Sequence, residues 1–224
     1  EVITDYDKEI DLTFQISIDD FPEEHNRVRK VKNLFENCIE TYRKLKSMND
    51  RVTPVVSVTV THENCDNMKN IFKYLTEDCK IDSLKCTIVR DEGVFKTPQE
   101  KREKIFNAYC WLTDKIKEYS KIKKLSNYNL KSIQGKLHSK KDEISWDLTK
   151  KMYLNPKYIS PCHAGSLFGI ITAAGLVYPC EILEDKLLGN LRDNNMNFMK
   201  IWDNTVTKEA KNFILKSKCN CTYE

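Results

Sequence analysis

Residues 12–19, LTFQISID, decide the fold. Phe14, Ile16 and Ile18 alternate with Thr13, Gln15, Ser17 and Asp19, the period of two that marks a β-strand with one apolar and one polar face. Downstream, Val31, Leu34, Phe35, Cys38, Ile39, Tyr42 and Leu45 recur at helical spacing, which predicts one amphipathic helix over about residues 24–48. The pattern then repeats. Residues 55–61, VVSVTVT, set Val56, Val58 and Val60 against Ser57, Thr59 and Thr61; Met68, Ile71, Phe72 and Leu75 mark a second helix; and residues 83–90, SLKCTIVR, form a third strand. Strands joined by connections that each carry a helix are parallel, with right-handed crossovers.

Strands buried on both faces are apolar throughout, whereas the first two here are small or polar on one face. The predicted fold is therefore α/β: part of a parallel (β/α) partial TIM barrel, packed on helices outside and lining a wet cavity inside. In such folds chemistry sits where strands end, which points to Ser17, Asp19 and Asp20, then Thr61, His62, Glu63 and Asn64, then Arg90 and Asp91. Strict alternation from Leu84, Cys86 and Ile88 aims Arg90 at the helices unless the strand ends before it.

Three regions follow: residues 1–94 as the barrel part, 95–160 as a helical segment, and 161–224 as a small cysteine-rich domain. Ile105, Ala108, Tyr109, Leu112 and Ile116 carry the helical spacing of the second region, with a less regular stretch around Asn127 to Lys141. In the third, LFGIITAAGLVYPC reads as a β-hairpin turning at Ala173-Ala174-Gly175. LLGNL gives another short strand, and one or two helices follow from Asn194 to Lys216.

The 37 basic and 33 acidic residues are interspersed, leaving a net charge of +4, which does not argue for nucleic acid. The lysines between Lys115 and Lys141 read as a solvated helical face. No stretch approaches a membrane span. The chain starts at Glu1 without a signal-type leader, so a piece of a longer protein, or a processed one, is expected. Uneven cysteine spacing in a chain of this size favours a reducing, cytoplasmic setting over a disulfide scaffold.

Of the nine cysteines, Cys38, Cys65, Cys79, Cys86 and Cys110 sit in helix and strand patterns and read as small core residues. Cys162 and Cys180 bracket the hairpin, and Cys219 and Cys221 form a C-x-C pair past the last helix. A disulfide between such close neighbours would be strained, whereas thiolates from a turn and a hairpin end can converge on a metal. Without C-x-x-C knuckles, spacing favours an iron-sulfur center over structural zinc. His62, His138 and His163 read as structural and His25 as a surface helix start. Acidic pairs such as Glu23-Glu24 suit helix N-termini. Walker, G-x-G-x-x-G and G-x-S-x-G motifs are missing, which argues against nucleotide hydrolysis and serine chemistry.

The run from Cys162 to Cys180, C-x12-G-x4-C with Gly175 as its glycine, resembles the opening motif of the SPASM and twitch domains of radical S-adenosylmethionine enzymes. VYPC, GNLR and IW follow in the family's order, and KCNCTYE is similar to the start of its next cysteine cluster. ISIDDFPEEHNRVR resembles the family's SIDG strand end and HD-x-IR helix, with Asp20 in place of the glycine, while VTVTHEN and IVRDEG resemble its next two strands. The resemblance implies Cys162, Cys180, Cys219 and Cys221 as ligands of an auxiliary 4Fe-4S cluster. It also implies that Ser17, Asp19, Asn64 and Arg90 lie toward S-adenosylmethionine. The family's C-x-x-x-C-x-x-C, which holds the second 4Fe-4S cluster that cleaves this cofactor, occurs nowhere in the 224 residues. The chain alone is thus expected to be inactive, with that segment upstream in the full-length protein. The implied substrate is a peptide or protein, and the implied reductant a protein such as ferredoxin or flavodoxin. The alternative is a non-catalytic peptide-binding module with a zinc-stabilised C-terminal knuckle.

Overall fold

The computed structural model describes residues 12–48, 51–90, 97–127 and 132–218. Cys219, Cys221 and Asp91 lie outside the described residues. The chain divides into two compact units, the first reaching Lys150 and the second Lys151–Tyr223.

The first unit is built on β1 (Leu12–Ser17), β2 (Val52–Val60) and β3 (Leu84–Ile88), all parallel in the order β1-β2-β3. Its helices are α1 (Pro22–Arg29), α2 (Leu34–Lys46), α3 (Met68–Lys73) and α4 (Arg102–Lys121), followed by α5 (Ile133–Leu154), which begins in this unit. The α/β architecture read from the sequence is the one observed, with a parallel three-stranded sheet suited to a partial (β/α) barrel. Ile18, Val56, Val58, Val60, Leu84, Cys86 and Ile88 are buried, as are Phe35, Ile39, Tyr42 and Leu45 of α2 and Ile105, Tyr109, Leu112 and Ile116 of α4. On the opposite face, Ser17, Ser57 and Lys85 fall in one register row, and Thr59 and Thr87 in another. The Thr87 hydroxyl donates to Thr59 Oγ1 at 3.3 Å. Thr13, Gln15 and Thr87 are exposed and Ser17 and Thr59 half-buried, while Val55 and Ser57 at the centre of this face are buried.

β2 starts three residues before the expected span because Pro54 is harmless there. Val56 donates its N–H to Ser83 O, toward β3, and the nitrogen of Pro54, two residues earlier, faces the same way at a level β3 has not reached. No ladder bond is lost.

The single helix expected over residues 24–48 is two helices. Lys30 and Asn33 both take left-handed backbone conformations, with φ of 56° and 57°. Lys30 N–H bonds to Arg27 O and Val31 N–H to Asn26 O, a Schellman stop. The Asn26 side chain then accepts the Phe35 N–H at 2.8 Å, satisfying a free donor at the start of α2. The stretch expected to be irregular up to Lys141 is helical from Ile133.

At the N-terminal edge of the sheet, Tyr42 donates to Asp82 Oδ1 at 2.7 Å and its oxygen accepts from Asp82 and Ser83 N–H; Lys46 pairs with the same carboxylate. Asn127 bonds both main-chain groups of Leu84, accepting at 2.8 Å and donating at 2.6 Å, and so stands in for a neighbouring strand. Several lysines of α4 and α5 are tied into surface ion pairs, among them Lys115 with Glu118, Lys117 with Asp147 and Lys140 with Glu143.

The second unit holds a three-stranded antiparallel sheet, β4 (Ile170–Ile171), β5 (Leu176–Tyr178) and β6 (Gly189–Asn190), with α6 (Phe198–Trp202) and α7 (Thr205–Ser217). Val177, Leu188, Leu191, Ile201 and Ala210 form its core, with Phe198 and Trp202 packed against them. Asn197 and Asn204 cap the two helices by accepting the N–H groups of Lys200 and Thr207.

Candidate cofactor and metal sites

Parallel strands place their C-terminal ends on one edge of the sheet, and Ser17, Asp19, Asn64 and Arg90 all lie at that edge. Asp19 is held on every side. Its N–H donates to His25 Nδ1 at 3.3 Å and its C=O accepts from Asn64 Nδ2 at 2.8 Å. Carboxylate Oδ1 accepts the Thr59 N–H at 2.9 Å, and Oδ2 accepts from the Arg29 guanidinium, its Nε at 3.1 Å.

Asn64 is 1% exposed and uses its whole amide on main chain. Its nitrogen donates to Asp19 O and Thr59 O, both at 2.8 Å, and its oxygen accepts the Thr61 N–H at 2.8 Å. Asp19 and Asn64 are thus brought into direct contact, where they staple the end of β1 to the end of β2. Ser17 is half-buried, in the row of Ser57 and Lys85, and Lys85 Nζ lies 3.5 Å from Asp142 of α5. Arg90 is half-buried two residues past the end of β3, after Ile88 and Val89, which are both buried. The Val89 N–H still reaches Val60 O at 2.9 Å.

Asp20, the residue in place of the family's glycine, needs no left-handed backbone. Its carboxylate accepts the Phe21 N–H at 2.8 Å, and burial pushes its pKa up. His25 is not at the surface; it is 1% exposed, edge-on to Phe35 at 6.1 Å, and burial pushes its pKa down. Sequence reasoning missed its grip on Asp19, as it missed that of Arg29. The signal was present, since the two stand four apart and share a helix face.

Burial raises the thiol pKa of Cys38, Cys65, Cys79, Cys86 and Cys110, in keeping with core residues. Cys162 and Cys180 are free and half-buried. Cys162 precedes a turn in which Ser166 and Leu167 donate to His163 O, and Cys180 follows Pro179 at the end of β5. These segments meet: a Cβ on Gly165, whose φ is +75°, would touch Pro179 Cβ at 3.4 Å. At the far end of the hairpin Gly175 turns with φ +86°, its N–H bonding Thr172 O at 2.9 Å. Arg192 of the GNLR run clamps that turn, donating to Ala174 O at 3.0 Å and Ala173 O at 3.4 Å.

Two of the four expected ligands therefore lie at one end of a stapled hairpin, which fits half of a cluster-binding set. Among the described residues no three His, Cys, Asp or Glu side chains gather to hold a metal.

The class these features define is a parallel partial barrel followed by a cysteine-bracketed hairpin module. Residues 162–222 match the SPASM family, an iron-sulfur cluster-binding domain. The chain is similar in fold to anSMEcpe solved with bound AdoMet. The TM-score is 0.55 at 17% identity, over 94% of this chain and 56% of that one. The same protein with bound AdoMet and Kp18Cys peptide matches with a TM-score of 0.52 at 16% identity, over 94% and 59%. No curated protein sequence matches. The SPASM part of the resemblance read from the sequence is borne out by the family match, and the partial-barrel fold by the likeness to anSMEcpe. The chain spans 56–60% of the length of the structures it matches. Among the described residues no helix is long and apolar enough to cross a membrane.

Proposed function

We propose that this chain is part of a cytoplasmic radical S-adenosylmethionine enzyme that modifies a peptide or protein side chain, with Cys162, Cys180, Cys219 and Cys221 as ligands of an auxiliary 4Fe-4S cluster. The observation that carries this reading is the hairpin itself. Gly165 packs against Pro179 beside Cys180, and Gly175 and Arg192 hold the turn at the other end, which supports Cys162 and Cys180 as ligands inside a stretch matching an iron-sulfur domain.

The polar edge of the first unit serves S-adenosylmethionine in this reading. Ser17 and Arg90, half-buried at this edge, are read as facing it, and Asp19 and Asn64 as fixing the strand ends, Asp19 through Thr59 and Arg29 and Asn64 through main chain. The residues of this edge would hold S-adenosylmethionine, which with a 4Fe-4S cluster from elsewhere in the full-length protein would supply radical hydrogen-abstraction chemistry. The peptides bound to anSMEcpe support a peptide substrate, and a ferredoxin or flavodoxin is the proposed reductant.

In the full-length protein, Cys180→Ala is expected to disturb the auxiliary cluster and impair substrate turnover while 5'-deoxyadenosine formation stays measurable. Loss of that formation with the auxiliary cluster spectroscopically intact would contradict the assignment.

A further inference from the structure

We infer that His25 and Arg29 are positioning residues for the cofactor edge of the sheet: one turn apart on α1, they grip Asp19 by its main-chain N–H and by its carboxylate. This rests on the reading that the edge holds S-adenosylmethionine. Ser17 lies two residues before Asp19, and Asp19 is the residue through which β1, β2 and α1 are joined at this edge. Its four polar connections run to four separate groups: His25 Nδ1, Arg29, the Thr59 N–H and the Asn64 amide.

The Asn64 and Thr59 bonds come from within the sheet edge. The His25 and Arg29 bonds come from outside it, so α1 sets where the end of β1 stands relative to the helix layer. Arg29 is suited to the task on two counts. It sits in the last turn of α1, where a cation meets the negative end of the helix dipole. Its fork also cancels a carboxylate that would otherwise face the edge uncompensated. His25 can accept the Asp19 N–H only with Nδ1 unprotonated, the form that burial favours. Its Nε2, buried without a partner among the described residues, leaves the ring oriented by Asp19 and by the edge contact with Phe35. Neither side chain reaches the reacting atoms; both act through Asp19.

The test uses the full-length holoenzyme with Arg29→Gln and Arg29→Lys, reading KM for S-adenosylmethionine, kcat for its cleavage, and amide hydrogen exchange at Thr59 against Val58 as an internal control. Arg29→Gln, by loosening the edge that binds the cofactor, is expected to raise KM about tenfold, a loss of about 1.4 kcal/mol of binding, with kcat nearly unchanged, and to speed exchange at Thr59 but not at Val58; Arg29→Lys should recover most of both. Wild-type cleavage with an unchanged KM in Arg29→Gln would overturn the inference alone. A wild-type holoenzyme that does not cleave S-adenosylmethionine would overturn the cofactor reading and this inference together.

Discussion

Replacing Asn64 by alanine removes three hydrogen bonds from a side chain that is 1% exposed. Two carbonyls, of Asp19 and Thr59, and the Thr61 N–H lose their partner at once. A buried polar group left unsatisfied costs about 1–3 kcal/mol. All three lie at a strand edge where water can enter and repay part of the loss, so the net destabilisation should be about 3 kcal/mol. For a chain of this length that corresponds to a fall of about 6–12 °C in Tm. Asn64→Asp is the informative companion: it keeps an acceptor for Thr61 but turns a carboxylate oxygen toward two carbonyls, so it should be at least as damaging as alanine. Urea and thermal unfolding followed by circular dichroism read both. A loss below about 0.5 kcal/mol for Asn64→Ala, the range of an ordinary surface change, would refute the staple, as would an Asn64→Asp variant as stable as wild type.

Three further outcomes are expected. Lys30→Gly should stabilise the chain by about 1 kcal/mol in urea unfolding, because glycine takes the left-handed stop after α1 without the Cβ penalty; an equal loss would show that the Schellman stop is misassigned. The folded pKa of His25 lies below its ordinary value, so the unfolded chain binds the proton more readily and the neutral ring stabilises the fold above about pH 6.5. That contribution is lost as pH falls from there toward the lower folded pKa. Asp19, Arg29 and Glu36 are the charges facing the ring, and His25→Gln should flatten the fall in stability between pH 7 and 5; an identical slope in both proteins contradicts the buried neutral ring. In the second unit, Gly169→Ala would set a Cβ 2.8 Å from the Trp202 ring and 3.0 Å from Tyr178 O. It should cost about 1–3 kcal/mol of local stability, read by hydrogen exchange at Val177.

The strand alternation of Phe14, Ile16 and Ile18 and of Val56, Val58 and Val60 was enough to reveal the sheet, its parallel order and its polar face, because burial on one side imposes a period of two. The interruption after α1 left no such mark. Residues 30–33, KVKN, contain neither glycine nor proline, and Val31, though spaced as a core residue, is exposed. What ends α1 is the Schellman stop at Lys30, and what starts α2 anew is the Asn26 side chain accepting the Phe35 N–H, a partnership across nine residues that periodicity cannot encode. Pro54 hid the start of β2 for a related reason: its tolerance depends on where β3 begins. At the candidate site, strand ends pointed to Asp19 and Asn64 as facing a cavity, yet both spend their polar atoms on neighbouring protein groups. His25 escaped notice because a histidine among Glu23, Glu24 and Arg27 looks solvated until the helix is rotated onto the strand end. The hairpin between Cys162 and Cys180, turning at Gly175, was legible from its sequence, whereas the packing of Gly165 on Pro179 and the Arg192 clamp were not, because both depend on side chains distant in sequence.

The central claim is that sulfur at the hairpin end binds iron. Anaerobic reconstitution of this chain with iron and sulfide, followed by its visible spectrum, tests it most directly. The account predicts a brown protein with a broad band near about 400 nm from sulfur-to-iron charge transfer, lost in Cys162→Ala and Cys180→Ala while both variants remain folded. A colorless protein holding stoichiometric zinc, or a band that survives both substitutions, would contradict it.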